Sequence, residues 1–147
     1  VCHVGAWAPR PEQMATAALL ADDAGIDEYH ALMRRDVQTR LDALASGLAA
    51  LRDDGLPVET TAPQGAMYLS ARFALAGRRT PGGDVLRTNE EVRRYLLHEA
   101  GLAAVQFQAF GSQEETGWFR LSAGPVPPRD TEALIPRVRA ALEKLIR

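Results

Sequence analysis

Gly117-Trp118-Phe119-Arg120-Leu121-Ser122 reads as a strand on its alternation alone. Side chains two apart share a face, so Phe119 and Leu121 turn toward a core while Trp118, Arg120 and Ser122 turn away from it. An arginine standing out beside an indole has two readings. It is an ordinary solvated residue of a half-buried strand, as most arginines are. Or it is a holder of a planar anion, because a guanidinium presents a fixed fork of donors that meets a carboxylate at two points.

Working outward, three more strands are expected. Ala66–Phe73 alternates cleanly, with Met67, Leu69, Ala71 and Phe73 on one face and Tyr68, Ser70 and Arg72 on the other. Shorter candidates lie at 58–62, ahead of the turn Pro63-Gln64-Gly65, and at 103–107. Between them Thr88-Asn89-Glu90-Glu91 fits a capping box, with Thr88 as N-cap and Glu91 at the third helical position. That helix should bury Val92, Tyr95, Leu96 and Ala100 and stop at Gly101. Residues 76–87 read as a polar, glycine-rich surface excursion without phosphate-cradling spacing, and 108–116 as a loop. Gly124-Pro125-Val126-Pro127-Pro128 is a stiff linker into a last helix. Asp130 is its expected cap, Leu134, Val138, Leu142 and Leu145 its apolar face, and Pro136 the site of an expected kink or loose turn.

Toward the N-terminus, Val1–Ala8 is an apolar opening that contains Gly5 and Trp7, followed by an alanine-rich helix over about 11–21. A longer helix follows, with Asp27 as its expected cap. Tyr29, Met33, Val37, Leu41, Leu44, Leu48 and Leu51 recur at helical spacing to Asp53, and Gly55 and Pro57 close it. At 1.5 Å per residue this rod of about 40 Å exceeds the width of so small a domain. It is either a coiled-coil arm or a helix that leaves one domain and founds another, and the second reading is preferred. The expected fold is α+β: a small antiparallel or mixed sheet covered by helices and entered by one long interdomain helix. Residues 1–35 are expected to be the end of another domain, and 36–147 a C-terminal one.

Composition bounds the function. A chain of 147 residues builds one good core but not two full domains. A net charge of −2 with scattered arginines offers no field for nucleic acid or an anionic membrane. No apolar run approaches a membrane span, and no signal peptide is apparent. Cys2 is the single cysteine, which excludes an intrachain disulfide and points to a reducing, cytoplasmic setting. His3, His30 and His98 have no metal-ligand spacing. Of the 17 basic residues, sixteen are arginine and Lys144 is the one lysine.

Taken together, the long helix, Pro63-Gln64-Gly65-Ala66-Met67-Tyr68, Glu99-Ala100-Gly101-Leu102, Phe110-Gly111 and the Arg120-Leu121-Ser122 strand resemble, in that order, the C-terminal part of class I/II aminotransferases. These are pyridoxal-phosphate enzymes of fold type I. The resemblance implies amino-group transfer between an amino acid and a 2-oxo acid in the full-length protein, with pyridoxal phosphate as cofactor and a homodimer as the assembly. It implies that Arg120 binds the substrate α-carboxylate. It also implies that residues 1–35 end the large cofactor-binding domain, with Trp7 near the active-site mouth or simply packed. One departure is Gln106-Phe107, where the family often carries Pro-Gly.

Transamination requires a lysine that attaches to the cofactor and moves a proton as a free amine. Lys144, at the tail of an amphipathic helix beside Glu143, reads as a solvated helix-end residue. The resemblance implies that the family's lysine, its cofactor-ring aspartate and its phosphate site are to be expected upstream of Val1. The fragment alone is expected to be inactive, with no catalytic or cofactor-binding residue in this chain. The competing class is a non-enzymatic ligand-binding or dimerisation module with an aminotransferase-like domain.

Overall fold

A computed structural model describes residues 8–124 and 128–146. The chain divides into two compact units, one ending at Asp36 and the other beginning at Val37. In the first unit, α1 spans Arg10–Leu20, with a proline in its opening positions and Glu12 in its first turn, and none of its residues is buried. Helix α2 runs Asp23–Asp53 and continues into the second unit. It starts four residues before the expected cap, Asp27. The cap-like contact comes from Asp22, whose Oδ1 accepts from the Gly25 N–H at 3.1 Å. The residues between carry little apolar signal, so periodicity alone placed the start too late. Tyr29 and Met33 are exposed, and the buried stripe of α2 begins at Leu41.

The second unit holds a four-stranded sheet. Its strands are β1 (Val58–Thr60), β2 (Tyr68–Phe73), β3 (Val105–Gln106) and β4 (Trp118–Ser122), ordered β1-β2-β4-β3 and antiparallel at every pairing. The expected strands at 58–62 and 103–107 are both shorter than their sequence patterns. In particular, β3 ends where Phe107–Phe110 turns into a 3-10 helix. Gln106 keeps φ −66° and ψ 148°, a conformation that proline also adopts, so the departure from Pro-Gly leaves an extended backbone there.

Helix α3 (Asn89–Ala100) has the expected capping box in both directions, and Gly101 ends it in the left-handed region at φ 67°. Helix α4 (Pro128–Glu143) runs through Pro136. It begins before Asp130, which sits in the first turn rather than at the cap and there complements the helix dipole. The excursion at 76–87 is tied down: Arg79 pairs with both Val85 and Ile146.

Leu41, Leu44, Leu48 and Leu51 of α2, Val92, Tyr95 and Leu96 of α3, and Val138, Ala141 and Leu142 of α4 share one core with Leu69, Ala71, Phe73, Phe119 and Leu121 of the sheet. The Phe73 and Phe119 rings meet edge-on with centroids 6.0 Å apart. Such a pair adds about 0.5–1.5 kcal/mol beyond its burial. The Tyr95 hydroxyl donates to the Ala141 carbonyl at 2.6 Å, which joins α3 to α4. With the helices on one face, the alternation of β2 and β4 sends Tyr68, Ser70, Arg72, Trp118, Arg120 and Ser122 to the other.

Candidate functional site

Register assembles the uncovered face. Ser70 lies opposite Arg120, Arg72 opposite Trp118, and Tyr68 opposite Ser122. Both arginines on this face come from alternating strands, but their surroundings differ. Arg72 is neutralised: its Nη1 donates to Glu59 at 3.0 Å, and its Nε donates to the Thr116 carbonyl at 3.1 Å. Glu59 reaches it because β1 and β2 pair in the register that sets Glu59 against Arg72. No carboxylate among the described residues pairs with Arg120. Its guanidinium carbon instead lies 4.2 Å from the Tyr68 ring centroid and 4.3 Å from that of Phe110.

Two aromatic faces hold the guanidinium by cation–π attraction and restrict its plane, while the donors at its edge stay free of a protein anion. Beside it is a cleft of about 640 Å³, lined by Thr61, Pro63, Gln64, Ser70 and Phe107 together with the sandwich residues. The Phe107 ring stacks on Trp118 (centroids 6.3 Å, planes 30° apart) and meets Phe110 edge-on at 6.4 Å. A cation fixed between rings and open to a cleft can take a carboxylate two-point with little loss of side-chain entropy on binding.

The turn entering β2 contributes one strained position. Ala66 is, among the described residues, the non-glycine with positive φ, at 54°. At the head of β4, Gly117 has φ 76°, and a Cβ there would sit 2.8 Å from the Phe73 carbonyl oxygen. The strand therefore needs glycine at the point where it approaches β2.

Sequence reading singled out Arg120 and found the residues around it only in part. Tyr68 and Phe110 appeared within motifs, and nothing in spacing could show that both rings would flank the same guanidinium. Trp7 lies outside the described residues. Lys144 is on another side of the unit. Its ammonium donates to Glu99 at 2.7 Å and lines a separate cavity of about 770 Å³ with Arg87, Arg94 and His98.

A sequence profile of the family "Aminotransferase class I and II" matches residues 4–138. The chain belongs to the class I and II aminotransferases. It is 32% identical over 136 residues to an aspartate aminotransferase of Rhizobium meliloti, covering 92% of this chain and 31% of that protein. It thus spans about a third of the length of the curated relatives it matches. Among solved aminotransferases, an aromatic aminotransferase from Pyrococcus horikoshii superimposes with a TM-score of 0.67 at 27% identity, over 89% of this chain and 31% of that one. The alpha-aminoadipate aminotransferase of Thermus thermophilus, solved with N-(5'-phosphopyridoxyl)-L-leucine, has a TM-score of 0.69 at 21% identity, over 97% and 33%. That second likeness speaks to fold alone. The α+β unit is the helix-covered small-domain arrangement of fold type I aminotransferases.

The residues in hand do not suit covalent attachment of pyridoxal phosphate. Lys144, the one lysine, is ion-paired, half exposed and on a different cavity from Arg120. Among the described residues no cluster of histidine, cysteine or acidic side chains has metal-binding geometry, and no helix is long and apolar enough to cross a membrane.

Proposed function

We propose that this chain is the substrate-clamping part of a pyridoxal-phosphate-dependent aminotransferase, with Arg120 binding the α-carboxylate of an amino acid or 2-oxo acid. The observation that supports this most is the contrast between the two arginines of the open sheet face. Arg72 already has Glu59, whereas Arg120 is gripped by two rings beside a cleft. An arginine kept only for packing or solubility has no need of an aromatic vice that leaves its donors unspent.

In this reading residues 1–35 close the cofactor-binding domain and carry Trp7 near the active-site mouth, and 36–147 form the small domain. The cofactor and its lysine belong to the remainder of a full-length, homodimeric, cytoplasmic enzyme. This chain's own residues bind and orient substrate. The guanidinium fixes the carboxylate end, the rings exclude water from one side of the ion pair, and the polar edge formed by Thr61 and Ser70 borders the cleft. The fragment alone is expected not to turn over, since Lys144 is engaged by Glu99.

The test is Arg120→Ala in the full-length protein. Loss of a partly desolvated two-point ion pair should lower kcat/KM for amino acids by an amount equivalent to about 2–5 kcal/mol. An unchanged kcat/KM in a folded variant removes the assignment.

A further inference from the structure

The loop that carries Phe110 is held by one buried side chain. Asn89, the first residue of α3, is 3% exposed. Its Oδ1 accepts from the Gly117 N–H at 3.0 Å, its Nδ2 donates to Gln108 Oε1 at 3.0 Å, and its backbone N–H donates to the Glu115 carboxylate at 2.5 Å. Gln108 in turn donates through Nε2 to the Glu114 carbonyl at 2.8 Å. All three partners of Asn89 belong to the single stretch 107–117. One end of that stretch sets Phe107 and Phe110, and the other leads into β4 three residues before Arg120. Asn89 opens α3 one residue after the Thr88 N-cap.

Burying an amide is unfavourable unless its groups are satisfied, and an apolar residue would fill the space without that demand. A buried amide with a partner for each of its two polar atoms, reaching both ends of one loop, specifies geometry more than it adds stability. We propose that Asn89 is a positioning residue for the carboxylate-binding surface. By tying Gln108 and Gly117 to the start of α3, it keeps Phe110 over Arg120, so that the guanidinium presents its edge to the cleft. The inference rests on the reading of Arg120 as a carboxylate donor, and the experiment separates the two.

In the full-length protein, Asn89→Ala, Gln108→Ala, Thr88→Ala and Arg120→Ala are compared by calorimetric titration with glutarate and with 3-phenylpropionate. The labelling rate of Arg120 by phenylglyoxal, relative to Arg52 at the exposed end of α2, is followed by peptide mass spectrometry. Asn89→Ala and Gln108→Ala should weaken binding about two- to fivefold, the equivalent of losing the Phe110 cation–π contact. Both should also raise the Arg120-to-Arg52 labelling ratio as Phe110 lifts away. Thr88→Ala should lower the melting temperature and move neither readout. Because Gln108 is only half-buried, its variant keeps the test informative if Asn89→Ala does not fold. Unchanged affinity and an unchanged labelling ratio in folded Gln108→Ala, with Arg120→Ala weakened, overturn the role of Asn89 alone. If Arg120→Ala binds both acids as well as the wild type, the carboxylate reading falls, and the labelling ratio by itself decides whether Asn89 holds the loop.

Discussion

Arg120 and Arg72 show how little the identity of a residue says before its neighbours are known. Both are arginines on one face of adjacent strands, yet one spends its donors on Glu59 and Thr116 and the other lies between Tyr68 and Phe110. Arg120→Lys keeps the charge but loses the planar fork and its stacking, so it should recover only part of what Arg120→Ala loses in kcat/KM. Phe110→Ala removes one ring from a partly exposed cation–π contact. The expected cost is about 0.5–1 kcal/mol in carboxylate affinity, read by titration calorimetry, with little change in melting temperature. Gly117→Ala acts on stability. A Cβ 2.8 Å from the Phe73 carbonyl, at φ 76°, forces β4 away from β2. Urea unfolding should show a loss of about 1–3 kcal/mol. Arg120 was legible because alternation turned it outward. Its two rings were not, since they come from a neighbouring strand and from a loop 10 residues before it in the chain.

At the scale of the element, local chemistry was read well where the element carries its own signal. Thr88 accepts from the Glu91 N–H at 3.2 Å, and Glu91 accepts from the Arg87 and Thr88 N–H groups. Those backbone bonds, Arg87 first and Thr88 second, hold the Glu91 carboxyl below its usual range. Thr88→Ala should cost about 1 kcal/mol in thermal or urea unfolding, while Thr88→Ser should cost little. The start of α2 differs from the expected cap because an exposed first turn has no apolar period, and the bonds that Asp22 accepts from the Gly25 and Ile26 N–H groups leave no mark in hydrophobic spacing. The lengths of β1 and β3 were misjudged for another reason. Hydrophobic alternation reports which way side chains turn, and it does not report where a partner strand stops offering backbone groups. Asn89 passed as an ordinary first helical residue, since its three partners are 19 to 28 positions away.

At the scale of the whole molecule, the buried hydrophobic residues among those described lie beyond Asp36, from Leu41 to Leu145, and α1 buries none. Acid should weaken the fold in a definite window. Hydrogen bonds from Arg93, then Arg94, lower the Glu90 carboxyl from 4.5 to about 2. A depressed carboxyl contributes stability that is complete above 4.5 and disappears as pH falls toward 2. Glu90→Gln should thus melt lower than the wild type at neutral pH and converge with it near pH 2, by a small margin because the pair is partly exposed. Local pattern was enough for the alternation of β2 and β4, the capping box and glycine stop of α3, and the apolar stripes that bury α2, α3 and α4. These depend on residues a few positions apart, whose geometry backbone periodicity sets. It took the folded chain to show which outward arginine is neutralised, which rings hold the other, and that Asn89 reaches the loop between them. Each of those outcomes depends on strand register and loop path, which bring together residues that no local period connects.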